Sequence, residues 1–172
     1  MTKPEISTSE AKQDKLFYVV ANIVIVNVAE SNCLLLKRSE TEKVLGGKWA
    51  FPGGKLEHKD VAQLLEATEN EPIQGIDNIL GKLAMREGME ECGLEVSAED
   101  AKVIKNKVFV RPDGVPVFMT TLATTYEGGE VVLEDEAFSQ YVWSTTAQLG
   151  DYDCIPGIQD EARTAIDLFC KG

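Results

Sequence analysis

The first long apolar stretch, Phe17 to Val28 (FYVVANIVIVNV), is β-branched and aromatic and shows no helical spacing, so it predicts a strand. A shorter run, Cys33 to Lys37 (CLLLK), predicts a second strand across the turn-prone residues Ala29 to Asn32. Trp49 to Lys55 (WAFPGGK) is an apolar segment entering a proline and glycine loop, the kind of place where chemistry is often housed. Within 61–78, VAQLLEAT has helical composition and the polar stretch after it has none. Ile79 to Cys92 predicts a helix despite Gly81 and Gly88, with Gly93 as its stop. Ala101 to Val110 and Val115 to Tyr126 predict a hairpin around the Arg111 to Gly114 turn. Phe138 to Trp143 predicts a last strand, and Ile158 to Lys171 an amphipathic terminal helix. Two hairpins around one helix, closed by another, indicate an α+β chain with a mixed sheet between helices, not a doubly wound parallel sheet.

Composition narrows the chemistry. The 172 residues carry 17 Lys plus Arg against 29 Asp plus Glu, a formal net charge of −12. So acidic a chain is a poor match for a nucleic acid polymer, which recruits basic patches. A phosphate ligand would be expected to arrive with a metal cation. With one histidine, His58, and four scattered cysteines, a Cys/His zinc centre is not encoded, and free thiols are expected. The apolar stretch from Leu16 to Val28 is too short for a bilayer, which needs about 20 apolar residues. Met1 to Lys15 lacks the apolar run of a targeting segment. A cytoplasmic setting is expected, with 1–15 a flexible segment and 16–172 one domain.

On a helical wheel Glu87, Glu90 and Glu91 fall at i, i+3 and i+4 on one face, with Met85, Gly88, Met89 and Cys92 opposite, the predicted core face. Clustered carboxylates disfavour an isolated helix, and a hard divalent cation would offset their repulsion. The flanking residues read Gly54-x5-Asp60, an interruption, then Arg86-Glu87-Gly88-Met89-Glu90-Glu91-Cys92-Gly93-Leu94. This resembles the Nudix hydrolase signature, Gly-x5-Glu-x7-Arg-Glu-U-x-Glu-Glu-x-Gly-U, where U is a bulky aliphatic. Gly88 stands where the first aliphatic belongs, and an insertion over about 61–78 divides the motif. The first glutamate of the signature corresponds to Asp60 when counted from Gly54, and to Asn78 when counted back from Arg86.

The resemblance implies a Nudix-like α/β/α sandwich with a catalytic loop and helix, and a reaction: hydrolysis of a diphosphate linkage with Mg²⁺, or Mn²⁺. By resemblance Glu90 and Glu91 bind the metal with the Gly53 carbonyl, Glu87 completes the site or takes the proton of the attacking water, and Arg86 orients Glu87. Glu134, Asp135 and Glu136 are candidates for a distal acid, Glu136 preferred for its distance from Trp143. Arg38 and Phe51 are the candidate substrate contacts, although Phe51 also suits packing. The expected substrate is a nucleoside triphosphate or oxidised nucleotide, with ADP-ribose or a nucleotide sugar next, and a homodimer is an open possibility. The competing class is a Nudix-like module that binds a nucleotide without cleaving it.

Overall fold

The computed structural model describes residues 8–9, 11–65 and 76–171. Much of the expected N-terminal segment, and residues 66–75 of the insertion expected over about 61–78, lie outside the described residues; Gln13–Lys15 form a single 3-10 turn. The strands are β1 (Tyr18–Asn27), β2 (Asn32–Arg38), β3 (Trp49–Ala50), β4 (Gly53–Lys55), β5 (Lys102–Val110), β6 (Pro116–Thr125) and β7 (Phe138–Thr145). The helices are α1 (His58–Leu65), α2 (Ile79–Cys92) and α3 (Ile158–Cys170).

All seven strands join one sheet, with a central path β3-β2-β1-β6-β5, β4 on β1 and β7 on β2. The β1–β6 pair is parallel and the other ladders are antiparallel, so the sheet is mixed. The uninterrupted apolar runs in β1 and β2 follow from burial on both sheet faces. Alternate residues divide between two cores. Ala21, Ile23, Ile25, Leu34 and Leu36 pack beneath α2 with Leu83, Ala84 and Cys92. Val24, Val26, Cys33 and Leu35 pack beneath α3 with Phe51, Ile158, Ala162, Ala165 and Ile166. A buried charge on the α3 side, Glu161, accepts from the Thr121 hydroxyl at 2.8 Å and pairs with Lys105 at 3.0 Å.

Helix α2 differs from the wheel in one respect. Its buried side carries Leu83, Ala84, Glu87, Gly88 and Cys92, whereas Met85 and Met89 are each 45% exposed. Leu83 and Ala84 seat the helix, and a carboxylate can point inward because the strand beneath it is Gly53-Gly54, without side chains. At Gly88 a Cβ would sit in ordinary van der Waals contact with Val96 and the Leu94 carbonyl, both at 3.4 Å, so there is room for a methyl group but the helix lies close to its neighbours. Gly93 ends the helix at φ 69°, with its N–H on the Met89 carbonyl and the Leu94 N–H on that of Gly88. The four cysteines are free, and burial pushes the Cys33 and Cys92 thiols up to about 12 and about 11, which makes them packing groups. Among the described residues no helix is long and apolar enough to cross a membrane.

Candidate active site

The site forms where α2 crosses β4. Strand β4 pairs with β1 through Gly53 opposite Asn22 and Gly54 opposite Ala21. The Gly53 N–H donates to the Glu91 carboxylate at 2.7 Å. The Glu87 carboxylate lies against Gly54 so closely that a Cβ at that position would overlap it. Both glycines serve close approach, and neither has a left-handed backbone.

Arg86 is the hub of the outer half of the site. Its guanidinium reaches Glu87 at 2.6 Å, Glu90 at 2.8 Å and Asp60 at 3.4 Å. Asp60 is nearly buried in the first turn of α1, where its carboxylate also accepts the Glu57 N–H at 2.9 Å. The two counts of the motif are thereby separated. Asp60 lies in the charge cluster, while Asn78 sits at the N-cap of α2 and donates its amide to the Ala98 carbonyl at 2.6 Å. Asp60→Asn is expected to lower turnover about tenfold by loosening Arg86, as changes behind a metal site do. Asn78→Ala is expected to leave turnover unchanged, and steady-state rates of the two variants check this.

The inner carboxylates are electrostatically strained. Burial pushes the Glu91 carboxyl up to about 8, opposed by the Gly53 N–H and reinforced by the charges of Glu87 and Glu134. Burial also raises Glu87; Arg86 acts against it, and Glu90, Asp60 and Glu134 act with it. Among the described residues no three acidic, histidine or cysteine side chains are grouped so as to hold a metal ion; Arg86 engages Glu87 and Glu90, and the Gly53 N–H engages Glu91. The donor chemistry nevertheless fits a hard divalent cation: only oxygen ligands, among them the buried Glu87 carboxylate and the half-buried Glu91 carboxylate, whose negative charge is undercompensated.

Some expected site residues fall elsewhere. Phe51, taken as a substrate contact, is 4% exposed and packs in the α3 core, so it supports the fold. Glu136, the preferred distal acid, is exposed at φ 72°. Glu134 is the better placed of the three, because its backbone N–H is tied to the Glu91 carbonyl at 3.1 Å and its charge acts on both inner carboxylates. Arg38 pairs with Glu42, and its charge favours the ionised form of Glu91. Sequence reasoning passed over Asn22, which faces Gly53 and donates to the Met119 sulfur at 3.3 Å. Its signal was a polar residue in an otherwise apolar strand.

No protein-family model matches the sequence, and no curated protein matches it. Solved structures match it over nearly its whole length. The MutT protein of Methanosarcina mazei Go1 is 21% identical over 94% of this chain and 100% of that one, with a TM-score of 0.64. The NUDIX domain of Shewanella oneidensis NrtR, complexed with ADP ribose, is 11% identical over 93% and 94% of the two chains, with a TM-score of 0.66. An Ap4A hydrolase of C. elegans is 15% identical over 90% and 99%, with a TM-score of 0.61. The chain has the Nudix fold, an α+β sandwich whose mixed sheet carries the charged helix and glycine strand described above.

Proposed function

We propose that this protein is a divalent-metal-dependent hydrolase that cleaves a diphosphate linkage in a nucleoside diphosphate derivative, most simply a nucleoside triphosphate or its oxidised form. The observation that carries this is the placement of Glu87 and Glu91 against Gly53 and Gly54, with Arg86 bridging Glu87, Glu90 and Asp60. A binding module would need phosphate donors at this place, not buried, mutually repelling carboxylates.

Glu87, Glu91 and, from the outer side of Arg86, Glu90 would hold Mg²⁺ or Mn²⁺ together with the Gly53 carbonyl. When bound, the cation supplies charge neutralisation of phosphate oxygens and acidification of a water. The protein's own part is orientation and proton handling. Arg86 holds Glu87 in a fixed direction, and Glu87, raised by burial, is suited to receive the proton of the attacking water. Asp60 fixes Arg86 in turn. Arg38, paired with Glu42, would offer a positive charge to a phosphate oxygen.

The test is product analysis after incubation with nucleoside triphosphates, oxidised guanine nucleotides, ADP-ribose, dinucleoside polyphosphates and nucleotide sugars, with Mg²⁺ or Mn²⁺ and with chelator. The expected result is metal-dependent release of a nucleoside monophosphate with pyrophosphate or a second phosphorylated product. No turnover of any compound, alongside tight binding of one, would replace the hydrolase with a nucleotide-binding module.

A further inference from the structure

The outward side of α2 carries an apolar groove that the carboxylate site leaves unused. Met85 and Met89, one turn apart, form its floor with the buried Val96. It encloses about 660 Å³, inside the range of roughly 300–1,000 Å³ usual for small-molecule sites. Glu95 and Glu127 line its rim, and Arg86 and Glu90 line it where it meets the charge cluster. The groove and the cluster are therefore continuous through two shared residues.

We propose that this groove seats the base of the nucleotide and selects guanine; the proposal rests on the hydrolase reading for the place of the phosphates. Two exposed thioethers side by side offer a flat, polarisable surface to a planar ring. The glutamates repel phosphate, so the anionic part of a ligand is directed toward Arg86 and the base toward the methionines. Ionised carboxylates only accept hydrogen bonds. Guanine presents N1–H and N2–H₂ side by side, a match for the two oxygens of one carboxylate. Adenine places a bare ring nitrogen beside its amino group, and uracil sets a single N–H between two carbonyl oxygens, so each would face a carboxylate with repulsion. Glu90 is engaged by Arg86, whereas Glu127 is oriented by the Thr125 hydroxyl, which donates to its Oε1 at 3.0 Å. Glu127 is thus the rim carboxylate set to read the base.

The chain has four methionines, Met1, Met85, Met89 and Met119, so methyl labelling gives a sparse spectrum. Met119 is nearly buried, and its neighbour Thr121 on the same face contacts α3, away from the groove. With ¹³C-methyl methionine in the whole protein, titration with guanosine monophosphate in Mg²⁺ should shift Met85 and Met89 and leave Met119 in place. Uridine monophosphate should bind about tenfold more weakly, and Glu127→Gln should bring the two nucleotides to similar affinity. Binding of guanosine monophosphate that leaves both groove methyls unmoved, equal affinity of the two nucleotides for the wild-type protein, an unchanged ratio in Glu127→Gln, or no binding overturns the proposal. Failure of the hydrolase reading has a separate signature, loss of turnover across all substrates, which this binding experiment does not read.

Discussion

Replacing Glu91 with glutamine should reduce metal-dependent turnover on the order of 10³-fold while making the metal-free protein harder to melt. The substitution keeps the side chain's shape and an oxygen acceptor for the Gly53 N–H, so the local structure has no reason to collapse. What disappears is a half-buried negative charge beside Glu87 and Glu134. The pH dependence has a definite sign. Because the folded-state pKa of about 8 lies above the ordinary carboxylate value, protonated Glu91 favours the fold, and that contribution is complete below the ordinary value and lost as pH rises through about 8. The gain in melting temperature of Glu91→Gln over wild type should therefore be larger at about pH 9 than at about pH 5. Excess Mg²⁺ should raise the wild-type melting temperature and leave that of the variant nearly unchanged. Thermal scans at two pH values, with and without Mg²⁺, measure all of this. A variant with full activity would exclude Glu91 from the proposed metal site.

Gly54→Ala is the second large effect, and it should separate catalysis from stability. A Cβ at residue 54 would occupy the space of the Glu87 carboxylate. The colliding atoms lie at the end of a flexible side chain, so the fold can yield by moving Glu87 and should lose little stability. Turnover has no such freedom, because misplacing a catalytic group by about 1 Å costs about 10²-fold. The expected variant melts close to wild type and turns over about 10²-fold more slowly, with the loss in kcat more than in KM. Gly53→Ala should be harsher on the fold, since its Cβ would meet the Ala21 carbonyl and the Asn22 backbone, which cannot swing aside. Near-wild-type turnover in Gly54→Ala would show that Glu87 does not act from its position on β4.

Much of the site was legible because its parts are local. Arg86, Glu87, Glu90 and Glu91 occupy one and a half turns of helix, and helical geometry alone puts the carboxylates on neighbouring positions. Gly53 and Gly54 announce a close approach of backbone to something else, though not to what. The wheel could not say which arc of α2 faces the sheet. Met85 and Met89 are more apolar than Glu87, and hydropathy therefore turns the helix the wrong way; the side-chain-free strand beneath it is a tertiary fact. The same reason separates Glu134 from Glu136. Two residues apart in a glycine-rich acidic stretch, they differ by how the loop is tied to the end of α2.

The order and type of the elements follow from sequence alone, because strand and helix periodicities and the turns at Arg111 to Gly114 and Gly93 are local effects of backbone sterics and burial. Asp60 was beyond such reasoning. Twenty-six positions separate it from Arg86, and motif spacing pointed equally to Asn78; only the tertiary placement of the first turn of α1 brings its carboxylate to the guanidinium. Likewise the mixed sheet was readable as a class, whereas the parallel pairing of β1 with β6, nearly a hundred residues later, is a long-range contact whose register no local pattern encodes. What tertiary structure decided was which charges share a low-dielectric space, and that sharing gives Glu87 and Glu91 their altered proton affinity.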